Sequence, residues 1–371
     1  MMRLSFDIFC RVIDNFGDIG VCWRLARQLA QRPERPAVRL WVDDLCSFAR
    51  IEHQIDPSVQ QQTVGGVSVV HWTRIVPSVE PHDVVIEAFA CDPPASFIQA
   101  MVERDSIWIN LEYLSAESWV ESCHALPSAQ ASGLRKTFFF PGFTPATGGL
   151  LRESQLLAVR DRWLADPTLH PALLRTIGVP ERHVEGIGRG MRQVFLFCYP
   201  DAPASALLDV LARQDEPTLL IVPTGVYPSL HDRPHGKVHI HEMPFVDQRT
   251  FDRLLWSSDL NFVRGEDSLV RALWAGKPLI WQIYAQQENA HMIKLQAWLE
   301  KSPFDPAVHQ AMIHWNTADG AAFDVALELA MRADNWQLWQ SAGLHWCAQL
   351  AQYPELASSL VDFCTRQQRK G

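Results

Sequence analysis

Short apolar runs recur along this chain, each closed by a polar or glycine-bearing turn and followed by a helical pattern. Residues 5–13 form the first run and read as a strand. It ends in Asp14-Asn15-Phe16-Gly17-Asp18-Ile19-Gly20, after which 21–30 read as an amphipathic helix. Further strands are expected over 38–42, 67–72, 84–89 and 107–114. The aromatic run 135–145 reads either as an edge strand plus loop or as a wall that receives a partner's loop. Residues 155–192 are helical but irregular, with Gly178, Pro180, Gly186, Gly188 and Gly190, and read as a linker. A second series then begins, with strands over 193–199, 219–222, 238–245 and 260–263 and helices over 205–213, 247–256 and 267–274. From 321 to 367 the pattern is helical, broken near Tyr353-Pro354.

Strand, polar loop, helix, twice over, is the signature of two doubly wound α/β domains. A length of 371 residues suits two such cores. The expected division is an N-terminal domain over 1–186 and a C-terminal domain over 187–354. The net charge of −9 carries no dense basic run, which argues against nucleic acid as a partner. No apolar run reaches membrane-span length and Met1–Asp7 lacks a leader pattern, so a cytoplasmic protein without a membrane partner is expected. The eight cysteines form no CxxC pair and read as buried free thiols.

The most informative stretch is Val263-Arg264-Gly265-Glu266-Asp267-Ser268. A strand passes into a helix that Asp267 or Ser268 can cap, so the turn offers free amides to a phosphate. Arg264 adds a charged fork and Ser268 a hydroxyl. Phe245 can stack on a base and Gln248 can read its polar edge; alternatively they are a core aromatic and a solvated helix residue. These segments resemble the donor half of glycosyltransferases of the GT-B class, with two facing Rossmann-like domains and an interdomain cleft. The resemblance implies that 1–186 is an acceptor-binding domain, that 187–354 is a nucleotide-sugar-binding domain, and that a last helix, 355–371, returns to the first domain.

In the first loop, Asp14 and Asp18 are either a carboxylate pair with one raised pKa, suited to a general base, or an Asx turn and a helix cap. Asp43-Asp44 after the second strand read as caps of the next helix. The histidines His231, His235, His239 and His241 lack metal-site spacing, with Pro234 and Gly236 against a helix there, so no metal is expected.

Residues 13–27 together with Asn110-Leu111-Glu112-Tyr113-Leu114-Ser115-Ala116-Glu117, Phe139-Phe140-Pro141-Gly142-Phe143-Thr144 and Arg264-Gly265-Glu266-Asp267-Ser268 resemble the EarP family over nearly the whole chain. That family comprises bacterial protein-arginine rhamnosyltransferases acting on elongation factor P. The resemblance implies dTDP-β-L-rhamnose as donor, an arginine of elongation factor P as acceptor, inversion at the sugar, and no cofactor. It implies Asp18 as the catalytic carboxylate, with Asp14 beside it and Glu266 as a third acid near the sugar. It also implies donor binding by Tyr199, Phe245, Gln248, Arg264, Asp267 and Ser268, with Phe16 and Gly17, and places Glu112 and Tyr113 near the acceptor. The alternatives are a transferase of the same architecture with a lipid or cell-wall acceptor, and a sugar-nucleotide epimerase.

Overall fold

The structure, a computed structural model, describes residues 4–14, 16–73, 79–232 and 235–369. Met1 to Arg3, Asn15 and Pro234, all used above, lie outside them. The chain forms two compact units. The first comprises Met1–Glu153 and Leu350–Gly371, the second Ser154–Gln349.

Among the described residues the first unit is built on eight strands: β1 (Phe6–Cys10), β2 (Val38–Val42), β3 (Gln61–Val64), β4 (Val67–His71), β5 (Val84–Ala88), β6 (Ile107–Leu111), β7 (Pro127–Ala129) and β8 (Arg135–Phe139). Their order is β3-β4-β2-β1-β5-β6-β8-β7, parallel except at the two edge pairs β3/β4 and β7/β8. All five residues of β1 are buried, as expected for a strand covered on both faces. Its period of two divides the core: Phe6, Ile8 and Cys10 join one cluster, and Phe9 joins the other, stacked on Trp41 at 5.2 Å. Asp7, fully buried on this strand, is held by the Arg39 guanidinium at 2.5 and 2.8 Å and by Trp41 Nε1 at 2.9 Å. The helix Leu356–Gln368 puts Leu356, Leu360 and Phe363 into the same cluster as Ile19 and Trp23, one apolar face at three- and four-residue spacing.

The second unit holds a five-stranded, wholly parallel sheet: β9 (Arg192–Leu196), β10 (Thr218–Pro223), β11 (Val238–Met243), β12 (Leu260–Arg264) and β13 (Leu279–Gln282), in the order β11-β10-β9-β12-β13. The expected boundary at 186 moves to Glu153/Ser154. The helices Leu156–Ala165, Leu169–Thr176 and Glu181–Gly188, read as a linker, pack within the second unit. Trp163 meets Trp256 edge-on at 6.1 Å, and Arg160 Nη1 donates to the Trp274 carbonyl at 2.6 Å.

Buried in this unit, Arg271 on the helix Gly265–Ala275 grips Asp252 on the helix Gln248–Ser257 through two hydrogen bonds of 3.0 and 2.6 Å. Breaking a buried pair from one side leaves a charge short of its counterion. Asp252→Ala is therefore expected to cost about 3–5 kcal/mol, read as a large fall in calorimetric melting temperature. Adding Arg271→Met should restore much of the loss; an unchanged melting temperature in Asp252→Ala would refute the coupling.

Candidate active site

In each unit the sheet grows outward in both directions from its first strand, β1 and β9. Such a reversal leaves a crevice at the carboxyl ends of the strands, where doubly wound folds bind ligands. The candidate residues all lie on those edges.

In the first unit β1 runs into the loop that carries Asp14, and the helix Gly17–Ala30 follows. The helix starts at Gly17, earlier than expected at 21, because Gly17 and Asp18 are polar yet belong to its first turn. Asp18 is 3 % exposed. Its Oδ2 accepts from the backbone amides of Ile13 and Asp14, both at 2.8 Å. The loop is closed by the Gly17 amide, which donates to the Asp14 carbonyl at 2.6 Å. Burial pushes the Asp18 carboxyl above the ordinary carboxylate range; the Asp14 and Asp43 charges add to this, and the two amide hydrogen bonds oppose it. A Cβ on Gly17 would stand 2.6 Å from Asp14 Oδ2, so the bare glycine is what lets the Asp14 carboxylate lie over the helix start. Phe16 packs partly against the unit's core.

Two strands away from β1, β6 delivers Glu112 and Tyr113. Asn110 Nδ2 donates to Glu112 Oε1 at 2.6 Å, and the Tyr113 ring stacks on Phe89 at 4.3 Å and 11°. Phe89 (φ 59°) and Ala90 (φ 53°) are left-handed without being glycine. Strain of this kind concentrates at functional edges and persists where contacts enforce it. Here the Ala90 amide is held by Asn110 Oδ1 at 3.0 Å and the Phe89 amide by the Leu111 carbonyl at 2.8 Å.

In the second unit the helix after β12 begins at Gly265, two residues before the expected Asp267, with Arg264 at the capping position. Gly265 takes φ 58°, which turns the strand sharply into the helix. The helix therefore opens with the amides of Gly265, Glu266 and Asp267. Ser268 neither caps the helix nor serves only as a flank: its hydroxyl accepts from the Arg264 amide at 3.0 Å and donates to the Arg264 carbonyl. Glu266 and Asp267 are half-buried in the first turn.

The Arg264 guanidinium lies over two rings, 5.0 Å from Phe197 and 4.7 Å from Tyr199. Phe197 also meets Phe245 at 6.4 Å and Phe251 at 4.9 Å, so one ring joins the base candidate to the phosphate candidate. Gln248 is buried at the start of its helix, which Asp247 caps by accepting from the Thr250 amide at 2.7 Å. The Tyr199 amide donates to Gln282 Oε1 at 2.8 Å, and the buried Tyr227 hydroxyl holds both the Cys198 amide and carbonyl, at 2.8 and 2.7 Å. Sequence reasoning missed Phe197, Tyr227 and Gln282. Phe197 and Gln282 had a usable signal, since both sit at the carboxyl end of an apolar run, where ligands bind.

Among the described residues no three His, Cys, Asp or Glu side chains converge as a metal site. His239 stacks on His183 at 4.4 Å, and His231 pairs with Glu242 at 2.8 Å. No described helix is long and apolar enough to cross a membrane.

Two Rossmann-like units in one chain, one bearing a buried carboxylate and the other an arginine at a helix-opening turn, define a GT-B glycosyltransferase. The family model for the elongation-factor P (EF-P) rhamnosyltransferase EarP matches residues 6–365, and the chain belongs to that family. It is 45 % identical over 387 residues to a protein-arginine rhamnosyltransferase of Pseudomonas putida, covering 98 % of this chain and 99 % of that protein. A protein-arginine rhamnosyltransferase of Neisseria meningitidis serogroup B is 33 % identical over 98 % of this chain and 97 % of that protein. A solved structure described as the basis for EarP-mediated arginine glycosylation of translation elongation factor EF-P is 32 % identical, with a TM-score of 0.65 over 98 % of this chain and 99 % of that one. The fold alone is shared with a UDP-GlcNAc 2-epimerase of Neisseria meningitidis, at 8 % identity and a TM-score of 0.52 over 97 % of this chain and all of that one.

Proposed function

We propose that this chain transfers L-rhamnose from dTDP-β-L-rhamnose to an arginine side chain of elongation factor P, in the cytoplasm, with inversion at the sugar and without a metal. The observation that carries the acceptor class is the 45 % identity, over 98 % of the chain, to a protein-arginine rhamnosyltransferase. The fold does not separate transferase from epimerase, because both share it.

The second unit holds the donor. Phe245 and Gln248 receive the base, Tyr199 and Arg264 the diphosphate, and the amides opening the Gly265 helix complete the anion site with Asp267 and Ser268 shaping its turn. The first unit holds the acceptor. Asp14 and Asp18, with Glu112 and Tyr113 toward the outer strands, receive the guanidinium; Phe16 and Gly17 border the donor; Glu266 lies toward the sugar. A guanidinium keeps its proton near neutral pH and is a weak nucleophile. The carboxylates orient one nitrogen at C1. As the C1–N bond forms, the C1–O bond breaks and the electron pair leaves with dTDP. The nitrogen's surplus proton passes to Asp18 late in the step, when positive charge on that nitrogen is greatest. Arg264 and the helix amides stabilise the departing diphosphate.

The test is intact-protein mass spectrometry of elongation factor P after incubation with this enzyme and dTDP-β-L-rhamnose. One added deoxyhexose, mapped to a single arginine and carrying an α-linkage by NMR, is the expected result. Donor binding without any gain would overturn the acceptor, and donor conversion without elongation factor P would point to the epimerase.

Gly17 supplies a sharper check. Alanine is a good residue for a first helical turn, so Gly17→Ala should fold and melt normally. Its Cβ would displace the Asp14 carboxylate, and misplacement of that size is expected to lower kcat by about 10–100-fold. Unimpaired turnover would remove Asp14 from the reaction.

A further inference from the structure

Asp43 and Asp44 follow β2 side by side, and the sequence offers both as caps. The structure divides them. Asp44 caps the helix Leu45–Ile51, accepting from the Ser47 amide at 3.0 Å. Asp43 turns toward the neighbouring strand, and its Oδ1 accepts from the Val12 amide at 2.8 Å. The parallel register Cys10↔Val42 makes this reach possible, because the residues just past β1 and β2 lie alongside one another. The Asp43 main chain is itself fixed, its carbonyl 3.2 Å from His71 Nε2 at the end of β4.

Val12 is followed directly by Ile13 and Asp14, whose amides hold Asp18 Oδ2. Three successive amides are thus committed to two carboxylates, the first to Asp43 and the next two to Asp18. Each peptide plane is rigid, so anchoring the Val12 amide fixes the plane from which the chain continues and leaves only the φ and ψ of Val12 and Ile13 to aim the next two amides, both of which Asp18 already holds. We propose that Asp43 is a positioning residue for the transfer step: by anchoring the Val12 amide it sets how the Ile13 and Asp14 amides aim the Asp18 carboxylate. This rests on the reading of Asp18 as the proton acceptor. Asp43 acts on Asp18 in a second way, through charge. The groups that bear on Asp18 are the carboxylates of Asp14 and Asp43 and the Cys10 thiol on β1, and each of the two carboxylates disfavours a further negative charge there.

The two effects separate by substitution. Asp43→Ala removes anchor and charge together. Asp43→Asn keeps an oxygen for the Val12 amide and removes only the charge. Each variant, with Asp18→Asn as control, is assayed in the full chain for rhamnosylation of elongation factor P across the acid-to-neutral range. Asp43→Ala is expected to lose about 10–100-fold in kcat with donor KM unchanged. Asp43→Asn should lose far less and move the acid limb of kcat/KM to lower pH, since a neighbouring negative charge has gone.

A wild-type rate in Asp43→Ala would overturn the proposal. So would equal losses in both variants with the acid limb unmoved, the result of a merely structural aspartate. If Asp43→Ala does not fold, the limb shift in Asp43→Asn decides by itself. An active Asp18→Asn would instead sink the reading of Asp18, whereas an inactive Asp18→Asn beside an unaffected Asp43→Ala would sink only the role of Asp43.

Discussion

Asp18→Asn is expected to fold, bind dTDP like the unchanged enzyme, and lose about 10²–10⁴-fold in transfer rate. The fold should survive because an asparagine oxygen can still accept from the Ile13 and Asp14 amides that now bond to Oδ2. Stability should hold or rise. Burial has lifted the Asp18 pKa, so at neutral pH the native state carries a charge that it disfavours relative to the unfolded chain. For an acid with a raised native pKa this cost is present above that pKa and vanishes below the unfolded value. Any gain in melting temperature for Asp18→Asn should therefore be seen at neutral pH and shrink as pH falls through the carboxylate range. The activity carries the matching signature. If ionised Asp18 is required, kcat/KM should fall on the acid side with a midpoint above the usual aspartate value of about 4. That limb should be missing from the residual activity of the variant. Turnover near the wild-type rate, or an acid limb that persists, would mean that another group takes the proton.

How legible this arrangement was depends on whether the signal was local. The apolar runs named β9, β10, β11 and β12 of the second sheet to within a few residues, and 38–42 coincided with β2. Asp14 and Asp18 were legible because a polar loop at the end of a buried strand is conspicuous. The helix start at Gly17 was not, because the residues that open it are polar, whereas the amphipathic pattern begins only at Val21. Nor was the start at Gly265 visible: a glycine with φ 58° performs the turn, and no capping side chain announces it. The domain boundary failed for a different reason. Residues 156–188 look like a linker by composition, and the partners that bind them to the second unit, Trp256 and Trp274, lie far along the chain. Asp43 shows the same limit. Two adjacent aspartates give one capping signal, and only the pairing of β1 with β2 tells which of them turns away.

The second large effect is expected at Arg264. Its guanidinium stands over the Phe197 and Tyr199 rings beside the helix opening at Gly265, and the Ser268 hydroxyl holds its backbone at both the amide and the carbonyl. Shape and charge are thus fixed separately: Ser268 and Gly265 form the turn, and the two rings orient the cation. Arg264→Ala removes the cation and leaves the turn. On the proposed reading Arg264 hydrogen-bonds the donor diphosphate, and loss of such a charged bond, worth about 1.5–3 kcal/mol, should weaken dTDP binding by about 10–100-fold. A further loss in kcat should follow, because the diphosphate carries more charge as it leaves than in the bound donor. Together kcat/KM should fall by about 10³-fold or more. Arg264→Lys should recover part of the binding but little of kcat, since an ammonium has neither the planar fork nor the stacking face. Melting temperature should move little, as a partly exposed cation–π contact contributes only about 0.5–1 kcal/mol. Calorimetry with two ligands isolates the cause: dTDP should bind the variants weakly, and with less dependence on salt, while thymidine, which lacks the phosphates, should bind all three proteins alike. If Arg264→Ala held dTDP as tightly as the unchanged enzyme, the turn at Gly265 would not be the diphosphate site, and the donor would have to be sought elsewhere on the carboxyl edge of β9 to β13.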